Sequence, residues 1–468
     1  MSSLRPLVVL ILLACAAPAF ADERRAETAG RNWPAWRGPL ATGEAPLADP
    51  PIEWDSDGTN IRWKAAIPGR GHSTPIVWGN RIFLTTAVPV GEALPPRPST
   101  APGNHDNLPV THRQKFVALA LNRIDGKIVW QKSLREALPV EQGHRTGSLA
   151  SSSPVTDGEH LIVSFGSFGV YCLDFDGNLI WKKDFGRMDT LHGHGEGASP
   201  VLHGNTVVVN WDHEGESFVA ALDKRTGKLI WRADRDEVTS WATPIVVTQT
   251  RRASEGTTVT RSVSEEATST RSVSEDAQLI VPGTARIRGY DLTTGKVLWE
   301  CGGLSSNIVA SPVHADGMLF AGSSYDKRAL LAIRLEGAAG DITGTDHVVW
   351  SRFRGTPYVP SPLLVDGGLY FLTHYQPIIT RLDAPTGEDK PGAIRLEGLG
   401  NIYASPVSAG GRVYITDLDG TTLVMTTGEI PRALALNPLG EAVSASAALA
   451  GNELFLRGEK HLYCIAGD

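Results

Sequence analysis

Apolar residues in this chain come in short runs, many alternating with polar ones, and Gly, Gly-Asn or Asp-Gly positions interrupt them at close intervals. That is the pattern of half-buried strands joined by tight turns. Two signals alternate. The first is a small residue followed by Pro, an apolar run, a Gly turn and a second apolar run. It stands at Pro75, Pro154, Pro200, Pro244, Pro312, Pro362 and Pro406, with a degenerate eighth copy around Ala447. Successive copies lie from 41 residues (Pro406 to Ala447) to 79 residues (Pro75 to Pro154) apart. The second signal is a strand, a turn ending in Gly, and a strand ending in Trp. The runs ending at Trp130, Trp181, Trp231 and Trp299 carry it, VVW at Trp350 keeps only its end, and Asp383–Glu388 keeps only its turn.

Each unit therefore holds four short strands. Asp accepts backbone N–H groups in the turn and Gly supplies φ > 0. A terminal Trp can cover the gap to an adjacent unit. A sheet this small cannot bury its own faces, whereas a closed ring of such sheets can. Eight copies predict eight blades. The last copy lacks a Trp strand, and an unclaimed strand of that type, Asn60-Ile61-Arg62-Trp63, lies at the other end. The expected fold is all-β: a single eight-bladed β-propeller of four-stranded antiparallel blades, with the ring closed by an N-terminal strand. Residues 1–21 read as a signal peptide, 22–59 as an N-terminal arm and 60–468 as the propeller.

Two spacings are long. Residues 88–113 are Pro-rich and read as an exposed loop without strand pattern. Residues 249–277 contain TRSVSEEATS and TRSVSEDA repeats with a period of ten, and read as a low-complexity, disordered insertion. The leader has Arg5, an apolar stretch and an Ala19-Phe20-Ala21 cleavage site. It predicts export to the periplasm or beyond. Leu12-Leu13-Ala14-Cys15 leaves open a lipoprotein anchored at Cys15. No other stretch has the length and apolarity of a transmembrane helix.

The 468 residues carry a net charge of −7, with no Lys/Arg cluster, which excludes the electrostatic footprint of a nucleic-acid binder. Of the four cysteines, three lie outside the leader, an odd number, and Cys172 and Cys464 occupy a repeat position that Ala221 fills elsewhere. They read as small buried strand residues. There is no Cys-x-x-Cys or Cys/His zinc spacing.

The Ala-Leu-Asp-x-x-Thr-Gly-Lys-x-x-Trp units resemble the pyrroloquinoline-quinone (PQQ) type of propeller repeat, from about Trp33 to Cys464. WPAWRGP (Trp33–Pro39) and PGRGHSTPIVWGNRIFLTTA (Pro68–Ala87) belong to the resemblance. It looks like a group of exported bacterial propellers of unassigned activity. In fold it is similar to quinoprotein alcohol dehydrogenases, which bind PQQ and Ca²⁺ on the axis, and to the scaffold lipoprotein of outer-membrane barrel assembly. The adjacent Cys-Cys pair of the methanol-dehydrogenase kind is absent here. No catalytic Asp or Ca²⁺ set can be picked out, so the resemblance implies no confident cofactor.

Propellers usually bind ligands where loops converge on the axis. The segments before each small-x-Pro element supply Arg70, His72, His144, Arg145, His192, His194, Glu196, Trp241, Asn307, Arg354, Tyr358, Asn401 and Tyr403. We expect a polar binding mouth, led by Arg70, His72, His144, His192, His194, Glu196, Trp241, Asn307, Tyr358 and Tyr403. His192-x-His194-x-Glu196 has metal-like spacing but no fourth ligand, so solvated histidines on a Gly-rich loop are the favoured reading. Trp241 is either a stacking platform or a packing residue, and Trp33 and Trp36 pack the arm. Ser153 and Ser199 belong to the repeat and are not nucleophiles. The favoured function is a binding or scaffold protein of the cell envelope without catalytic residues. Its partner would be another protein, a small molecule or a polymer. The alternatives are a quinoprotein-like dehydrogenase and a carbohydrate- or polymer-binding module.

Overall fold

A computed structural model describes residues 31–249, 276–284 and 286–467. The leader 1–21, with Cys15, lies outside the described residues, as does most of the expected insertion. Strands occupy eight sheets, antiparallel except for one two-residue edge strand, and two short 3-10 turns lie among the described residues. Blade 1 is built from Ile76–Trp78, Arg81–Val90, Arg113–Asn122 and Ile128–Ala137. Blades 2 to 7 begin at Val155, Val201, Ile245, Val313, Leu363 and Val407, each just after its small-x-Pro element. Blade 8 takes Ala448–Ala450, Glu453–Arg457 and His461–Ala466 from the C-terminal end and Ile61–Ala66 from the N-terminal end. Ile61 stands opposite Ile465 and Ala66 opposite His461, so the ring closes as the strand count requires. The largest apolar cluster joins blades 7, 8, 1 and 2 and the arm across this seam.

The outer strands carry the contacts between blades. The indole N–H of Trp63 donates to Arg123 O in the next blade, and Trp130, Trp181, Trp231 and Trp350 likewise reach Phe175, Lys224, Leu292 and Ala384 O at 2.6–2.9 Å. Each ring lies on the turn glycine of that blade. A Cβ at Gly126, Gly177, Gly227, Gly295 or Gly387 would fall 2.5–2.8 Å from an indole atom. The turn aspartates hold these glycines in place: Asp223 Oδ1 accepts Thr226 N at 2.9 Å, and Asp291 Oδ1 accepts Thr294 N at 2.7 Å.

A bulge interrupts the pairing of the third and fourth strands in all eight blades, as at Ala221/Leu222 opposite Trp231 and Leu229. It breaks the alternation just before the Trp. Both preceding apolar residues (Ile128 and Val129, Leu179 and Ile180, Leu229 and Ile230) therefore face solvent while the Trp turns inward. Trp299 departs from the pattern. Blade 5 has no short Asp…Gly turn to receive it, so Trp299 folds over Gly289 of its own sheet and bonds Gln278 Oε1 at 2.9 Å. Gly340–Asp341 adds a short parallel strand along that edge instead.

The small-x-Pro elements form a chain of hydroxyls around the axis. Thr74 N donates to Ser153 Oγ, Ser153 N to Ser199 Oγ, and Ser199 N to Thr243 Oγ1. The chain continues through Ser311, Ser361 and Ser405 to Ser446, every link 2.9 or 3.0 Å. The arm crosses the ring beneath it. Trp33 pairs with Val77 of blade 1, and Glu44 with Ser408 of blade 7. Between them Trp36 Nε1 donates to Ser311 Oγ at 3.1 Å, and the buried Arg37 donates to Thr42, Pro362 and Pro406 O. Trp33 packs the arm as expected, but Trp36 blocks the channel.

Two expectations are corrected. Residues 88–113 are not strandless: pairing runs out to Val90 opposite Arg113, and Arg97 bridges Val110, because the blade 1 hairpin is extended. The segment 249–277 is shorter than drawn, since Ile245–Gln249 pairs with Asp276–Pro282; residues 250–275 lie outside the described residues. Cys172, Cys301 and Cys464 are buried free thiols.

Gly227→Ala, placing a methyl against Trp181 at φ +68, is expected to destabilise the protein by roughly 1–3 kcal/mol in urea unfolding. Gly204→Ala, at φ +56 with open space around it, isolates the backbone strain alone. Equal losses in the two variants would mean that the Trp contact contributes nothing.

Candidate functional site

With the arm closing one end, the axial channel becomes a blind cavity of about 550 Å³. Its walls come from the loops before all eight inner strands: His72 (blade 1), His144–Ser148 (blade 2), His194–Gly197 (blade 3), Trp241 (blade 4), Asn307 (blade 5), Tyr358 (blade 6), Asn401 and Tyr403 (blade 7) and Ser444 (blade 8). Trp36 and the hydroxyls from Ser153 to Ser446 line its deep end.

His72, His144, His194, Glu196, Trp241, Asn307, Tyr358 and Tyr403 thus line one cavity. Arg70 and His192 are not among the lining residues. Arg70 is tied at the rim to Glu459 and Arg145 O. His192, at φ 60 in a tight turn, faces an outer groove and contacts Pro102 O and Tyr325 Oη. Arg354 is exposed and also lies outside the lining.

His105, Asp106, Tyr325, His374 and Tyr375 line the cavity as well. They sit in turns between the second and third strands, which return to the same face as the loops between blades. Strand alternation carries that information, and a search confined to the loops before each Pro misses it. The extended hairpin of blade 1 brings His105 and Asp106 over the mouth. Asn107 fastens it there through His192 O (2.6 Å) and His194 Nδ1 (2.9 Å).

One wall is aromatic. Tyr325 stacks on Tyr358 at 6.1 Å, Tyr358 on His374 at 4.4 Å, and Tyr375 on Tyr403 at 5.4 Å. Facing it, His105, His144 and His194 lie 4.6–6.4 Å apart by ring centroid. Trp241 is half-buried, its indole N–H held by Gly195 O at 2.6 Å.

Burial disfavours charge on several groups of this lining. His194 is driven down to about 4, first by burial and then by the neighbouring His144, His105 and His192 rings. Burial also lowers His144 and His72, in the latter case against the pull of Glu459. Tyr358 is pushed up to about 12. Glu196 rises to about 7 because its carboxyl is desolvated, even though Ser167 donates both N–H (2.8 Å) and O–H to it. Arg145, the single guanidinium of the lining, is paired with Asp106 at 3.5 Å.

His192, His194 and Glu196 face three different ways, towards Tyr325, Asn107 and Ser167 respectively. Among the described residues no group of three or more His, Cys, Asp or Glu is placed to hold a metal ion. The lining does not fit PQQ either. A flat tricarboxylate needs several cations, and this cavity offers one paired Arg beside two acids, Asp106 and Glu196.

The Glu196 carboxyl binds its proton more tightly when folded than when unfolded. Its contribution to stability therefore falls as pH rises from about 4.5 to 7. Glu196→Gln should remove that dependence: the melting temperature of the variant relative to wild type should rise between pH 5 and 8, corresponding to roughly 1–3 kcal/mol. A constant difference would place an ordinary carboxylate there.

The family model described as outer membrane protein assembly factor BamB matches residues 114–390 and 247–466. No curated protein matches the chain. Among solved structures, BamB from Moraxella catarrhalis is 13% identical, with 81% of this chain and 96% of that chain covered and a TM-score of 0.49. The computationally designed Ika8 protein is 11% identical, with 86% and 99% covered and a TM-score of 0.53, a likeness of fold alone. With its eight blades, its repeat and this match, the chain belongs to the PQQ-repeat β-propeller family described as outer membrane protein assembly factor BamB.

Proposed function

We propose that the protein is an exported binding propeller of the cell envelope, which receives part of its target in the axial cavity and performs no chemistry on it. The observation that carries this reading is the cavity itself: about 550 Å³, blocked below by Trp36 and walled by loops of every blade. A pocket of that size suits part of a target rather than a whole protein surface. The family description supports a scaffold role, and the Ala19-Phe20-Ala21 leader supports export, with Cys15 as the lipid-anchored variant. Among the described residues no helix is long and apolar enough to cross a membrane.

Immobilised protein should retain a component of the native envelope. A Trp241→Ala/Tyr358→Ala double variant should lose that component while its melting curve still reports a folded protein, and Ile230→Ser on the exposed blade edge should keep it. Loss with the edge variant and retention with the mouth variant would move the site to the blade edges.

Incubation with PQQ and Ca²⁺ should leave the protein without a quinone band after desalting, and without dye reduction on alcohols or sugars. A retained band with dye reduction would overturn the non-catalytic reading.

A further inference from the structure

Charge around the mouth of the cavity is divided. Blade 5 carries Lys327 and Arg328 in the turn between its second and third strands, and the loop before blade 6 carries Arg354. All three are exposed, and among the described residues their charged groups have no ion-pair partner. The acids nearby are already engaged: Asp326 accepts the Ser305 and Ser306 hydroxyls, and Asp389 accepts Arg352 Nη1 at 2.9 Å. These cations border the aromatic wall. Burial first and Arg328 second lower the pKa of His374, which stacks on Tyr358 at 4.4 Å. Pro357 bridges His374 and so holds the Arg354 loop against the same ring. Phe353, 65% exposed, leaves an uncovered ring on that rim. On the side of blades 2 and 3 the balance is reversed. The outer groove there carries Glu141, Asp189 and Glu214 against Arg97 and Arg187, and Arg187 is paired with Asp189.

An occupant of this mouth needs an uncharged ring for the cavity and anionic groups outside it, on one side only. A nucleic acid has a phosphate at every base and would bring charge in beside Asp106 and Glu196. A uniformly charged polymer would also meet Glu141 and Glu214. A small aromatic acid has too few carboxylates for three cations. A polypeptide segment with acidic residues next to an aromatic one meets each demand, because its charges end where its ring begins. Resting on the binding reading above, we propose that this sector of the mouth, with Lys327, Arg328 and Arg354 at its rim, docks an acidic peptide segment whose adjoining aromatic side chain enters the axial cavity. Pairing at the rim sets which way the segment lies, and burial of the ring against the tyrosines holds it.

The test is calorimetric titration of the mature protein with the end-blocked peptide DEDEFGS, beside DEDEAGS, KRKRFGS, a thymidine octanucleotide and trigalacturonate. DEDEFGS should bind. Loss of its Phe should weaken binding about tenfold, and KRKRFGS should not bind. Raising salt from about 50 to 300 mM should weaken the complex in wild-type protein. Arg328→Ala/Arg354→Ala should weaken it roughly fivefold, the size of two exposed ion pairs. Lys228→Ala/Arg232→Ala, equally exposed on the outer edge of blade 3, should not. Melting curves check that both variants fold. Equal binding of DEDEAGS or KRKRFGS, tighter binding of the oligonucleotide or trigalacturonate, unchanged affinity in the Arg328/Arg354 variant, or no binding across the panel overturns the proposal. If the wild-type protein still captures an envelope component through Trp241 and Tyr358 in any of those cases, the binding reading survives; if it captures nothing, both fall.

Discussion

A four-stranded sheet with two apolar faces is unstable alone, and at five of the eight junctions between blades the indole-on-glycine contact is what joins it to its neighbour. It joins three demands in one place. The Trp buries a large ring, its N–H satisfies a carbonyl of the neighbouring turn, and the turn can accept the ring only because Gly leaves room. The Asp that shapes the turn and the bulge that turns the Trp inward both serve this contact. Where the neighbouring turn is missing, at blade 5, Trp299 turns back on its own sheet and an extra strand covers the edge.

That chemistry is why the fold was legible in the sequence. Trp, Gly, Asp and the small-residue–Pro pair each have one physical task, repeated often enough to be counted. Even the degenerate eighth unit could be completed by the strand at Trp63. The bulge was less visible, because an inserted residue leaves no composition mark; Ile230 looks like a core residue and faces water. Trp299 follows the motif fully, and only the missing turn in the next blade tells it apart.

The cavity was half legible for a topological reason. Loops before the small-x-Pro elements are flagged by the repeat, and His72, Trp241, Asn307 and Tyr403 were found on them. Turns between the second and third strands share that face but carry no repeat signature, so Tyr325, His374, Tyr375 and the hairpin bearing His105 went unseen. The floor was hidden in another way: nothing in WPAWRGP says which of its two tryptophans reaches the axis. The serines look like repeat furniture, yet their hydroxyls link blade to blade and give the pocket its polar base.

The strand that seals the ring is synthesised about 400 residues before its partner at His461–Ala466. Until that partner arrives, blades 1 and 8 each present an open apolar face, and the arm has blade 1 to pair with but not blade 7. Such a long-range pairing is slow to form, which suits the export proposed above, since a translocating chain has to stay extended. It also ties recognition to completion. Because Trp36 rides on the same arm as the sealing strand, a nascent or truncated ring has walls without a base, and only the finished circle owns a pocket.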